Sequence, residues 1–168
     1  MPGYVIHLAV TQEYLRKNNK KKTDDFMLGS VEPDFTTDKS KTHYGKSPAY
    51  TNLKKYLESN KIDNDFNQGY FLHLVTDYLF YNYYLDEIRK PQIYEDYDMT
   101  NKFLIEKYKI DLPRKVEDRV FFKDGIPQIL TVELVCKVID EISEYKLEEI
   151  EKEVIENVEK WSFYKRLV

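Results

Sequence analysis

At 168 residues the chain can bury one sizeable core, and its 42% hydrophobic and 33% charged residues exclude a disordered segment. A formal net charge of −4 removes the basic footprint of a nucleic-acid binder, so no nucleic acid is expected as a partner. Five glycines and six prolines are too few for a linker-rich or repeat-rich chain, and a lone Cys136 excludes an internal disulfide framework.

Pro2 can open a helix at its first turn, and Tyr4, Val5, Ile6, Ala9, Val10, Tyr14 and Leu15 continue it at helical spacing. Asn18, Asn19, Lys20, Lys21 and Lys22 end that helix and read as a solvated loop. The first residues lack the basic start and apolar run of a signal peptide, so the expected location is the cytoplasm. Asp24 or Asp25 can cap a short second helix that runs through Leu28 and breaks at Gly29. Residues 29–46 read as loop. Ser47 and Pro48 open a helix carrying Leu53, Tyr56 and Leu57.

Asp63 or Asn64 caps a long helix that runs towards Ile88 and stops before Pro91. A further helix covers 98–108, residues 113–122 are ambiguous, and Gly125 with Pro127 marks a turn. Residues 131–142 carry Leu134, Val135, Val138, Ile139 and Ile142 on one face, with Cys136 expected as a buried thiol. Residues 147–158 repeat the pattern. With no strand alternation, the fold class is all-α: a single compact multi-helix bundle over 1–168, whose C-terminal third reads as scaffold or interface.

Residues 66–85 carry one formal charge, Asp77, and one histidine, His73. Four residues apart, the two stand on one helical face, with Phe66, Tyr70, Phe80 and Tyr84. The length suits a membrane span, but Asn67, Gln68, His73, Asp77 and Asn82 exclude an integral membrane segment. A carboxylate facing a core needs a cation, a full set of donors, or a proton. Taken alone, the pair suits a structural hydrogen-bonded couple. The remaining histidines shift that balance: His7 lies on the apolar stripe of the first helix, and His43 shares the central loop with Asp34, which follows Pro33. A set of His7, Asp34, His43, His73 and Asp77 suits zinc, with iron or manganese as alternatives, better than a thiolate site does.

The pieces Tyr4-Val5-Ile6-His7, Leu28-Gly29-Ser30-Val31-Glu32-Pro33-Asp34, Thr42-His43-Tyr44-Gly45 and His73-Leu74-Val75-Thr76-Asp77, in that order, resemble the zinc-dependent phospholipase C family. The resemblance covers about residues 4–85 and implies a divergent, intracellular relative with a compact helical fold. It implies that Asp34, His43, His73 and Asp77 hold one zinc. It also implies that Asp77 bridges to a second ion that takes His7, and that Asp34 serves as catalytic base. The family's secreted members hold a further zinc with two more histidines and a glutamate, and also use an N-terminal tryptophan on a zinc. Here residues 83–101 contain no histidine, the only tryptophan is Trp161, and Tyr83, Tyr97 and Asn101 fall near the missing ligands by spacing. Asp96 and Asp98 read as surface acids.

These features point to a metal-dependent hydrolase of a phosphoester, either a small molecule or a lipid headgroup, using one or two ions. Tyr44 and Lys46 are candidate phosphate contacts. A homo-oligomer is left open. The alternatives are a noncatalytic metal-binding relative and a helical histidine–aspartate phosphohydrolase. The second ranks lower because its adjacent His-Asp pair is missing. His7 has two readings: ligand of a second ion, or a hydrogen-bonded support for Asp77.

Overall fold

The computed structural model describes residues 3–85 and 91–165. Among them the chain forms an all-α bundle with no strand: α1 (Tyr4–Lys17), α2 (Asp24–Val31), α3 (Lys39–His43), α4 (Leu53–Ser59), α5 (Asp65–Leu79), α6 (Pro91–Tyr108), α7 (Arg114–Glu117), α8 (Val132–Ile142) and α9 (Leu147–Glu156). Two 3₁₀ turns, Glu32–Asp34 and Pro48–Tyr50, link the short pieces.

α5 is the central helix. Every residue from 71 to 79 is buried, so over that stretch it presents no solvent face. Asn64 caps it by accepting from the Asn67 N–H. At its far end the helix widens into a π-turn over Phe80–Tyr84, closed by Leu85 N–H to Phe80 O at 2.9 Å. The helix expected to run towards Ile88 ends at Tyr84, where Leu85 turns extended; residues 86–88 and the expected opening at Pro2 lie outside the described residues.

α2 and α5 cross at backbone contact. A Cβ on Gly29 would stand 2.1 Å from Phe66 O, and one on Gly69 would stand 2.1 Å from Phe26 O. Only two glycines facing each other allow backbones this near. The expected break at Gly29 is therefore absent. α2 runs on to Val31 because its glycine serves the crossing, and Thr23, not Asp24 or Asp25, supplies the cap. Residues 29–46 are likewise not a plain loop; they hold the end of α2, a 3₁₀ turn and α3.

α6 starts at Pro91, seven residues before the expected 98, with Ile93, Asp96, Tyr97, Thr100, Asn101, Leu104 and Tyr108 buried along one stripe. Asp96 is therefore no surface acid. It is fully buried, and its carboxylate accepts N–H bonds from Gln128 (3.0 Å), Ile129 (2.7 Å) and Leu130 (2.9 Å) and from the Gln92 side chain (2.8 Å). One buried acid thus closes the irregular segment ahead of α8. On α8 the thiol of Cys136 is half-buried and 3.5 Å from Lys107 Nζ, instead of being sealed in the core. The basic run after α1 is solvated as expected, with Lys20 paired to Glu148 and Lys22 to Asp111.

Candidate metal centre

Four elements deliver the five polar residues. α1 supplies His7, and the 3₁₀ turn that Pro33 initiates supplies Asp34. His43 ends α3, where Tyr44 takes a left-handed φ of 61°. α5 supplies His73 and Asp77 from adjacent turns. The Gly29–Gly69 crossing brings Ser30 O within 2.7 Å of His73 Nδ1. His43 Nδ1 lies 3.1 Å from Lys39 O and 3.0 Å from Thr42 Oγ1.

Those backbone carbonyls only accept, so the Nδ1 atoms of His43 and His73 carry protons and donate. Both Nε2 atoms are thereby turned inward. They stand 3.3 Å apart. His43 Nε2 is 2.8 Å from Asp77 Oδ2 and 3.7 Å from Asp34 Oδ1; His73 Nε2 is 3.3 Å and 3.7 Å from the same atoms. Nitrogen and oxygen ligands at about 2.0–2.2 Å from a tetrahedral zinc stand about 3.3 Å from each other. The donors are already at that spacing, and one ligand atom from each of the four residues lies within 4.8 Å of the others. The group can hold a metal ion.

His7 borders this group. Its ring stacks on His73 with centroids 3.7 Å apart and planes 7° apart, and its Nε2 is 3.1 Å from Asp77 Oδ1 and 3.9 Å from Asp34 Oδ2. His7 Nε2 stands at ion-pair distance from Asp77 Oδ1 without the angular geometry of a well-formed hydrogen bond, so both readings of His7 stay open. Asp34 Oδ2 and Asp77 Oδ1 are also buried without a hydrogen-bond partner. Leaving such atoms unsatisfied costs about 1–3 kcal/mol each, more when charged. A cation between them removes that cost.

The charges are strongly coupled. Burial opposes the charged form of His73, but the carboxylates of Asp34 and Asp77 outweigh it and push its pKa up to about 10. Burial, followed by repulsion from His73, lowers His7 to about 4. Burial also works against ionised Asp34 and Asp77, yet His73 holds both well below the usual carboxylate range. Lys39 also donates to Asp34, with its Nζ 2.8 Å from Oδ1 and 3.0 Å from the backbone oxygen.

Tyr44 and Lys46, read as phosphate contacts, are engaged elsewhere. The Tyr44 hydroxyl accepts from Asn60 and its ring meets Tyr56 edge-on, while Lys46 lies over the Tyr50 ring. Tyr97 and Asn101, near the missing third-site ligands by spacing, line one cavity with Asp98; Tyr83 lines a different one. Ser30, Lys39 and Thr42 were missed by the sequence reading. Lys39 carried a signal, since it stands four residues before His43 on the same short helix. No family model, curated protein or solved structure matches this chain.

Proposed function

We propose that the chain is a metal-dependent phosphoester hydrolase, a divergent relative of the zinc-dependent phospholipases C, that binds zinc through Asp34, His43, His73 and Asp77. The observation that carries this reading is the inward convergence of two imidazole Nε2 atoms and two carboxylates, with the outer ring nitrogens tied to backbone carbonyls. Such ties fix the tautomer and orientation of metal-binding histidines. The donor set contains no thiolate, which suits a hydrolytic ion more than a thiolate-rich structural one. When bound, the ion supplies Lewis acidity to a phosphoryl oxygen and lowers the pKa of a water to about 7.

The chain's own groups divide the remaining work. Asp34, with Oδ1 held by Lys39, keeps Oδ2 without a protein partner and can accept from and orient an attacking water. Its depressed pKa makes it an orienting acceptor more than a proton store. His7, largely neutral at pH 7, offers a second unpartnered acceptor beside Asp77.

A second reading, an ion held for structure alone, is favoured by one observation: none of the four donor residues is more than 2% exposed. Elemental analysis of protein purified without added metal, with His73→Ala alongside, tests the metal. About one zinc per chain in the wild type and a loss in the variant are expected. Turnover of soluble phosphomonoesters and phosphodiesters then separates the two readings. Metal without turnover across the panel would leave the structural one.

A further inference from the structure

A cavity of about 230 Å³ is lined, among others, by Tyr4, Tyr97, Asp98, Asn101, Arg119 and Phe121, and by none of the four donor residues. Two residues join it to the centre. The Tyr4 hydroxyl donates to Asp34 O at 3.1 Å. Tyr97 is buried near both carboxylates; burial, then Asp77, pushes its hydroxyl well above the usual range. Phe35, next in sequence to Asp34, stacks against Tyr4 at 5.5 Å and carries two cations over its ring, Lys115 at 4.2 Å and Arg119 at 4.8 Å. Lys115 is neutralised by Glu32 at 2.7 Å. Arg119 makes no ion pair among the described residues.

The position of Arg119 is fixed by its surroundings. Val116 is fully buried and anchors α7, and the Arg119 N–H donates back to Val116 O at 2.9 Å. Asn101 Nδ2 donates to Phe121 O at 2.9 Å and ties the next turn of chain to α6. The guanidinium is thus exposed, placed at a cavity wall and beside the Tyr4 hydroxyl. A planar fork of donors in that position matches two oxygens of a phosphoryl group. Asp98, a carboxylate on another part of the wall, repels an anion locally and suits a hydroxyl or amine on the leaving group.

We propose that Arg119 binds the anionic phosphoryl group of the substrate in this cavity, whose Tyr4 wall is hydrogen-bonded to the backbone of Asp34. This rests on the phosphoester reading and adds to it a residue from the part of the chain that reads as scaffold. The cavity volume bounds the ligand to a small phosphate ester or the headgroup end of a larger one.

The test titrates inorganic phosphate into zinc-loaded wild type, Arg119→Ala, Arg119→Lys and Lys54→Ala, a lysine on exposed α4 surface, with zinc content measured for each. Arg119→Ala weakens phosphate roughly ten- to hundredfold at unchanged zinc content, Arg119→Lys recovers only part, and Lys54→Ala matches wild type. Equal affinity of wild type and Arg119→Ala at equal zinc, or no phosphate binding by zinc-loaded wild type, overturns the assignment. If the chain takes up no metal, the hydrolase reading fails separately. The same titration on metal-free protein then still reads Arg119, and a persisting tenfold difference sustains the anion site. Hydrolysis of a soluble glycerophosphodiester and of phospholipid vesicles, each by wild type and Arg119→Ala, distinguishes the two sources of phosphate ester. A rise in KM in either arm supports the role of Arg119, and identical kinetics in both refute it.

Discussion

Replacing Gly69 with alanine puts one methyl group where α2 and α5 touch. The new Cβ would start 2.1 Å from Phe26 O. Ordinary carbon–oxygen contacts need about 3.3 Å, so the helices must part by about 1 Å. That shift stretches the Ser30–His73 bond from its present 2.7 Å to beyond hydrogen-bonding distance. Overpacking costs about 1–3 kcal/mol and the lost buried bond about 1–3 more, while alanine's helix propensity returns about 1. The net loss centres on about 3 kcal/mol. For a domain of this size that lowers Tm by about 6–12 °C, read by calorimetry and urea titration. Gly29→Ala acts on the same gap from the other side. One displacement accommodates both methyls, so the double variant loses less than the sum of the singles. The centre responds too: with the His73 ring no longer oriented, zinc affinity drops roughly ten- to hundredfold. A Gly69→Ala protein as stable as wild type, with additive behaviour in the double variant, would refute the backbone-contact account.

Asp96→Asn places an NH₂ against N–H donors whichever way the amide turns, and costs about 2–4 kcal/mol at pH 7 by urea titration. Burial raises the Asp96 pKa, but the Gln92 and backbone donors lower it more, so its folded pKa is depressed. Its stabilisation is present above the unfolded value near 4 and fades as pH falls through the folded one, so the gap between variant and wild type narrows in acid. His73, raised to about 10, must release its Nε2 proton to a ligating role, so zinc uptake between pH 6.5 and 8.5 frees a proton and tightens about tenfold per pH unit. Competition titration with a chromophoric chelator checks this, and a flat profile would show that no ligand proton is displaced in that range. His7 lies outside the four-donor group, so His7→Gln retains one tightly bound equivalent while Asp77→Asn loses it, by elemental analysis after dialysis. Loss of the tight equivalent in His7→Gln would make His7 a primary ligand.

How much of this was legible follows from where each signal resides. The bundle was readable because helical periodicity is a property of single elements, as in α8, whose Val135, Val138, Ile139 and Ile142 are all buried. His73 and Asp77 share that advantage, since a spacing of four on one helix fixes their proximity. Asp34 and His43 do not. Their approach depends on a 3₁₀ turn, a five-residue helix and the α2–α5 crossing, so only the order of the motifs hinted at it. Gly29 was misread because helix propensity describes an isolated helix, and the reason for this glycine lies on another element. Asp96 was misread from its charge, although its place on the Ile93, Tyr97, Thr100 and Leu104 stripe marked it as inward-facing.

The misreading of Asp96 has a physical cause that also bears on the centre. A buried carboxylate is costly alone, so its presence on an apolar stripe implies a partner, and the kind of partner separates a structural acid from a functional one. Asp96 finds four N–H donors, and both of its oxygens are satisfied by protein. Its role ends in holding a segment of chain. Asp34 and Asp77 are as deeply buried, yet each keeps one oxygen without a hydrogen-bond partner, beside a histidine whose two nitrogens also lack one. A network evolved only for rigidity has no use for such atoms, because amide or backbone N–H donors could fill them as they do at Asp96. Open donor positions facing one another in a sealed space are what a cation needs. The contrast between the acids of one chain supports a metal at the second pair without appeal to any relative.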